Sequence, residues 1–245
     1  MSRPAHPFIA ETGAELLKLV RAPEFILPTL VLPTVFYTLF GVVLQMGNNA
    51  SDYFLATFGV FAVMGPALFG FGAGVAQERE RGWLKLTRAV PAPVAGFMIA
   101  KTIATLTMAT TALGMVYTVA AFLGDVEMPM TTWLALFGVH LLAAVPFLLL
   151  GLAIGFTFAT NGAIALAKLM FIAFALLGGL WMPVFIFPDI MQQMAWAIPS
   201  FHLAELALAV SGAEGDRPIN LHLVFIAAMI GGLAMLAGLA WLRQR

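Results

Sequence analysis

The sequence predicts an all-α polytopic membrane protein, and three observations point to that fold class. Hydrophobic residues make up 62% of the 245 residues and charged residues only 10%, whereas an ordinary soluble domain has about 25% charged residues. The mean hydropathy is correspondingly high, at +0.98. The apolar residues also form continuous runs of about 20 or more, which a transmembrane helix requires and which the alternating pattern of a membrane β-barrel excludes.

The N-terminal part of the chain predicts an amphipathic helix over residues 9–24. Its apolar and charged side chains fall on different arcs at helical spacing, which is typical of a helix that lies along a membrane interface. The apolar arc contains Leu16, Leu17 and Val20, and the charged arc contains Glu11, Glu15 and Lys18.

Six apolar runs follow, each long enough at about 1.5 Å per residue to cross about 30 Å of hydrocarbon. The predicted spans cover residues 25–44, 53–76, 102–123, 133–160, 163–187 and 221–242. Pro28 and Pro33 each remove a backbone donor, so a kink is predicted in the first span. In the second span, Gly70 and Gly74 have a spacing that lets helices approach closely, although glycine is common in membrane helices in any case.

Between the fifth and sixth spans, residues 188–220 are predicted to lie on the outer side of the membrane. The apolar pieces of this segment are too short and too often interrupted by proline to cross the bilayer. They are expected to form short re-entrant or interfacial helices. No repeat or linker divides the chain, so residues 1–245 are expected to form a single transmembrane domain.

Lysine and arginine are distributed very unevenly between the two sides of this topology. An even number of spans places both termini on one side, and eleven of the twelve Lys and Arg residues then fall on that side. Only Arg217 falls on the other. Because cytoplasmic loops carry the excess of Lys and Arg, both termini are predicted to be cytoplasmic.

The densest charge cluster is the segment 78–93, between the second and third spans. Gly82 permits a break after the second span, residues 84–90 can form about two helical turns, and Pro91 and Pro93 would stop them. The pattern indicates a short rigid element presented to the cytosol. The alternative is a loop that only fixes orientation and touches lipid headgroups.

Few ionisable side chains fall within the predicted spans. His140, in the fourth span, is interpreted as a hydrogen-bonded structural histidine rather than a proton relay, and Lys168 as a lysine that extends its amine to the interface. The predicted spans contain no Asp or Glu. Transporters driven by protons or sodium commonly use carboxylates near the midplane, so the sequence disfavours ion coupling.

Motifs of the common enzyme classes are missing from the sequence. It contains no Gly-Lys pair, and therefore no phosphate-binding loop, and no His-Glu-x-x-His or Gly-x-Ser-x-Gly. With no cysteine and scattered histidines, it offers no recognisable metal site. The histidines are His6, His140, His202 and His222. We therefore expect neither catalytic nor metal-binding residues in this chain.

Several loose motifs, in order along most of the chain, resemble the type 2 ABC exporter permeases. The charged run Glu78-Arg79-Glu80-Arg81-Gly82 is followed by Leu84, Pro91, Pro93 and Lys101, then by Gly179, Pro183 and Pro199-Ser200-Phe201-His202. Members of that family often have Gly-Thr-Leu-Glu after the charged pair, whereas this chain has Gly82-Trp83-Leu84-Lys85. The family's subunits have six helices and pair with a separate ATPase.

The resemblance implies a permease subunit of an ATP-driven exporter in the bacterial cytoplasmic membrane, moving an amphipathic or lipid-like substrate outward. Segment 78–93 would be the coupling helix that docks on the ATPase. The residues implied in docking are Glu78, Arg79, Glu80, Arg81, Gly82, Trp83, Leu84, Leu86 and Arg88. This chain would need no cofactor, since two ATPase copies would bind ATP and magnesium.

The other expected partners are a second permease, identical or similar, and the lipid bilayer, but not nucleic acid. The competing interpretations of the chain are an ion-coupled carrier or channel and a membrane scaffold or sensor.

Overall fold

The structure is a computed structural model, and it describes residues 7–21, 27–45, 49–82, 94–213 and 218–244. Throughout these residues the fold is helical, which confirms the predicted fold class. The helices are α1 (Pro7–Val20), α2 (residues 27–43), α3 (Ala50–Glu80), α4 (Val94–Leu123), α5 (Met130–Thr157), α6 (Thr160–Leu177), α7 (Asp189–Ala195), α8 (Pro199–Ser211) and α9 (Ile219–Leu242).

Five of these helices, α3 to α6 and α9, are long and apolar enough to cross a membrane, and the shorter α2 is also apolar. Helix α3 lies at the centre, with its most apolar stretch completely buried. It packs against α2, α4, α5, α6 and α8. Large side chains from α3, including Leu55, Phe58, Phe61 and Met64, fill the core between these neighbours. The outer faces of α6 and α9 are much more exposed, as expected for helices that face lipid or another subunit.

The proline-containing first span is irregular in the structure, and the kink predicted there stays a prediction. Helix α2 widens to π-helical turns at Leu27–Val31 and Thr38–Val43, on both sides of a regular stretch at Leu32–Tyr37 that carries Pro33 near its start. Prolines leave backbone carbonyls without their usual donors, and wider turns and threonine hydroxyls help to satisfy such groups. The Thr34 and Thr38 hydroxyls donate to the carbonyls four residues earlier.

The structure moves several of the predicted boundaries. The fourth span begins at Met130 rather than at residue 133, and the fifth begins at Thr160 and ends at Leu177, ten residues before the predicted end at residue 187. Gly179, with φ of +76°, turns the chain away after α6. On the predicted outer side, α7 and α8 are separate short helices that meet at 86°.

The backbones of α3 and α5 approach closely at Gly155 of α5, a position that the sequence did not single out. A Cβ atom at Gly155 would lie 2.7 Å from the Phe71 carbonyl oxygen and 2.8 Å from Val75 Cβ. At the nearby Gly151 a Cβ atom would lie 3.0 Å from atoms of α3, and Gly72 of α3 faces Gly151. The predicted pair Gly70 and Gly74 instead lies near side chains of α4. Small residues on both helices therefore set the distance between α3 and α5.

His140 has the structural role that the sequence predicted. Its Nε2 lies 2.9 Å from the Ala56 carbonyl oxygen and its Nδ1 lies 3.0 Å from the Tyr117 hydroxyl. Because a carbonyl can only accept, Nε2 carries the proton and the tyrosine hydroxyl donates to Nδ1. The fully buried ring joins α5 to α3 and α4. It occupies the space left by the missing side chain of Gly59.

Two histidines that are distant in sequence meet at the predicted outer end. The Nδ1 atoms of His202 and His222 are 3.0 Å apart, and His202 Nε2–H donates to the Trp196 carbonyl. His222 Nδ1–H is therefore the donor between the two rings. The expectation that all histidines are scattered was wrong for this pair. Among the described residues, however, no group of three or more potential ligands is placed to hold a metal.

Candidate functional site

The charged end of α3 is the point where several helix ends, on the predicted cytoplasmic side, are joined. We call residues 78–82 the stem. They comprise the last residues of α3 and the turn after it, and they precede segment 83–93. Gly82 has φ of +83°, a conformation that favours glycine, and its N–H donates to the Arg79 carbonyl. The break predicted at Gly82 is therefore confirmed. Segment 83–93, with Trp83, Leu84, Leu86 and Arg88, lies outside the described residues.

Glu78 joins the stem to α1 and α4 through a cluster of two acids and two lysines. The Lys101 Nζ lies 2.6 Å from Glu15 Oε2 and 3.1 Å from Glu78 Oε1. The Lys18 Nζ lies 3.0 Å from Glu78 Oε1 and also pairs with Glu15. Lys101 and Glu15 are only 5% and 3% exposed, so these two charges are withdrawn from water.

The buried carboxylate of Glu15 depends on its lysine partners to remain charged. Burial raises the pKa of Glu15, but the charges and hydrogen bonds of Lys101 and Lys18 outweigh that effect and lower the pKa below its ordinary value. Glu15 is therefore ionised at neutral pH, and Lys101 sits between two negative groups. Lys101 also lies 5.3 Å from the centre of the Phe97 ring, within the range of a cation–π contact.

Arg79 binds the C-terminal end of α5. One guanidinium nitrogen donates to the Phe156 carbonyl, and the other lies 2.6 Å from the Phe158 carbonyl oxygen. The Gln244 amide also donates to the Phe156 carbonyl, at 2.9 Å, and so joins the end of α9 to the same place. Helix C-termini carry unsatisfied carbonyls and a partial negative charge, which a guanidinium complements with two donors at once.

Glu80 binds the start of α6, the next helix. Its carboxylate accepts the Thr160 N–H at 3.1 Å and also the Thr160 hydroxyl. A helix N-terminus has free N–H groups and a partial positive charge, so the carboxylate does what an N-cap residue of the helix itself would do. The preceding residue Ala159, which holds the N-cap position, has no side chain able to do this.

The structure thus gives intramolecular partners to three of the predicted docking residues: Glu78, Arg79 and Glu80. Arg81 is exposed and has none of these contacts among the described residues. The docking assignment of all nine residues is untested and stays a prediction.

Sequence reasoning missed the inward roles of Glu15 and Lys101. The sequence placed Glu15 on the charged arc of residues 9–24 and Leu17 and Val20 on the apolar arc, yet Glu15 is buried while Leu17 and Val20 are exposed. Lys101 was expected to open the third span, but α4 begins at Val94 and places Lys101 two turns inside the helix. An isolated charge just inside an apolar run, together with an unpaired acid on the preceding amphipathic helix, is the signal that could have linked them.

Comparison with known proteins gives two matches. The sequence profile of the ABC-2 family transporter proteins matches residues 33–242, which is most of the chain. The chain is also 29% identical over 195 residues to a protein of Bacillus subtilis (strain 168) named "Putative transport permease YvfS". That alignment covers 77% of this chain and 79% of the relative. The family match covers the stem and the helices α3 to α6.

Proposed function

Because the chain belongs to the family of ABC-2 transporter proteins, we propose that it is the permease subunit of an ATP-driven exporter. The family implies pairing with an ABC ATPase. In the proposed assembly two ATPase copies bind ATP and magnesium on the cytoplasmic side, and the permease acts with a second, identical or similar permease. The cargo is amphipathic or lipid-like, and the membrane is the bacterial cytoplasmic membrane.

The observation that carries this proposal is the construction of the stem. A segment that merely oriented the chain would need positive charge but no fixed connection to the bundle. Here three consecutive side chains of the stem bind α1 and α4, α5, and α6 respectively. A force applied to segment 83–93 would therefore reach most of the cytoplasmic helix ends, which is the property that coupling to an ATPase requires.

The distribution of carboxylates supports ATP coupling over ion coupling. In the described parts of α2 to α6 and of α9, the acidic residues are Asp52, Glu78 and Glu80, all in the first or last turns of α3. An ion-coupled carrier commonly has such groups near the membrane midplane. Lys168, the lysine of α6, is exposed, in keeping with a side chain that extends toward the interface.

Docking on the ATPase is tested by placing charge on the apolar side chains of segment 83–93. Changing both Leu84→Asp and Leu86→Asp should weaken association with the ATPase by two or more orders of magnitude, because each buried leucine contributes about 1.5–3 kcal/mol. The measurement is recovery of the co-expressed ATPase with the affinity-purified permease, with membrane level and thermal stability as controls.

The matched control for this experiment is the pair Leu84→Met and Leu86→Met, which keeps an apolar surface of similar volume. We expect this variant to retain the ATPase. If the aspartate variant recovers as much ATPase as the native chain and export is normal, segment 83–93 is not the docking element.

Orientation gives a separate test of the proposal. Single cysteines can be introduced directly, because the chain has none. Those replacing Asn49, Glu127 and Glu214 should react with an impermeant thiol reagent in intact cells, whereas one replacing Lys85 should react only after permeabilisation. Reaction of the Lys85 position from outside would reverse the topology and place segment 78–93 on the side opposite the ATPase.

A further inference from the structure

We propose that Arg79 and Glu80 are positioning residues that make the cytoplasmic turn between α5 and α6 move together with the stem. This inference rests on the proposed function, since the movement comes from the ATPase docked on segment 83–93. It goes further by assigning the route: ATP-driven movement enters the membrane through the fourth and fifth spans, by way of two adjacent charged side chains.

The turn between α5 and α6 is short and is held at both of its ends by the stem. Only Phe158 and Ala159 separate the two helices, and both have extended backbone conformations. Arg79 binds carbonyls at the end of α5, and Glu80 binds the first N–H of α6. With both flanks fixed to one turn of α3, the connection has little length in which to absorb a relative displacement.

The charges of the two residues match the helix ends that they contact. A cation lies at the negative end of α5 and an anion at the positive end of α6, so each contact complements a helix dipole. Exchanging the two charges would place like signs together at both ends. The order Arg-Glu along the stem therefore matches the order in which the chain leaves α5 and enters α6.

Packing just above the turn prevents α5 from sliding along α3. Gly155 lies against the Phe71 and Gly72 carbonyls and Val75, with no room for even a Cβ atom. Close-packed helices do not deform continuously, so α5 must follow α3 or separate from it. The close contact at Gly155 and the hydrogen bonds of Arg79 and Glu80 thus act at neighbouring points, the end of α5 and the turn that follows it.

The experiment measures whether the turn follows the stem when ATP is bound. Cysteines replace Gln77, in the last turn of α3 next to the stem, and Asn161, at the start of α6; both side chains are exposed. Each carries a nitroxide, and dipolar broadening gives their separation in the permease–ATPase complex, without nucleotide and with ATP plus vanadate. The labelled chain with native Arg79 and Glu80 is the reference for every variant.

With Arg79 and Glu80 present, we expect the same separation in both nucleotide states. With Arg79→Gln or Glu80→Gln, we expect the separation to change between the states, by up to about one helical turn, ~5 Å. The milder Thr160→Val removes only the hydroxyl contact and should give a smaller change of the same kind. Thr160→Val can therefore still test the inference if Arg79→Gln or Glu80→Gln fails to fold.

Two results would overturn the inference: a separation that changes with nucleotide in the chain with both residues, or one that stays constant in all the variants. A purely structural role would lower thermal stability without making the separation depend on nucleotide. Recovery of the ATPase is measured in the same preparations. If the native chain does not recover the ATPase, the proposed function itself is rejected. If the ATPase is recovered but the turn does not follow the stem, only the route through Arg79 and Glu80 is rejected.

Discussion

Replacing Lys101 with methionine is expected to lower the free energy of unfolding by about 3–5 kcal/mol, because it removes the buried cation beside Glu15 and leaves that carboxylate only the exposed Lys18. Glu15 is 3% exposed and Glu78 shares the same lysine. Methionine keeps much of the length and the apolar stem of lysine, so the loss would come from charge rather than from a cavity. The measurement is thermal unfolding of the detergent-purified chain, together with its level in the membrane.

Lys18→Met provides the matched control, because it removes the same charge from the same cluster at an exposed position. The Lys18 side chain is 56% exposed, and exposed ion pairs contribute about 0–1 kcal/mol. Adding Glu15→Gln to Lys101→Met should recover part of the lost stability, since it removes one uncompensated charge. Equal, small effects of the two lysine substitutions would show that the cluster is solvated and does not hold α1 against the bundle.

Replacing Gly59 with alanine is expected to lower the free energy of unfolding by about 2–5 kcal/mol. The new Cβ would lie 2.2–2.5 Å from three atoms of the His140 ring. The ring would have to move, and its hydrogen bonds to the Ala56 carbonyl and the Tyr117 hydroxyl would be strained or lost in a buried site. Thermal unfolding and yield from the membrane measure the effect.

The control for this prediction is Gly138→Ala, on α5 two residues before His140. A Cβ atom there would meet nothing within 4 Å. Alanine is better than glycine in a helix by about 0.5–1 kcal/mol, so this variant should be neutral or slightly more stable. If Gly59→Ala were as stable as Gly138→Ala, the position of the His140 ring between α3 and α5 would be wrong.

The sequence by itself determined the class, the order of the helices and the character of single residues. Apolar runs longer than about 20 residues can be accommodated only as membrane helices, so composition and run length were sufficient. A neutral histidine in a span must find hydrogen-bond partners, which made the structural role of His140 predictable without knowing that they are Ala56 and Tyr117. Proline chemistry predicted a kink in the first span, where α2 has π-helical turns at both ends.

Helix ends were less predictable, because apolar composition continues past them. The run that suggested a fifth span contains no charged residue from position 169 to position 187, yet α6 ends at Leu177 and the chain turns at Gly179. Hydropathy reports where a segment can be buried, not whether it is buried in lipid or against protein. The residues after α6 pack against protein. The hydroxyl of Ser200, at the start of α8, donates to the Phe174 carbonyl of α6.

Only the tertiary structure decided what the charged residues of the stem contact. The sequence marked Glu78, Arg79 and Glu80 as a cytoplasmic cluster, and charge density alone cannot distinguish a surface that faces a partner from one that faces the same chain. Their partners include backbone groups of Phe156, Phe158 and Thr160, and every residue has such groups, so no side-chain pattern encodes them. The pairing of Glu15 with Lys101, 86 positions apart, likewise exists only once α1 packs on α4.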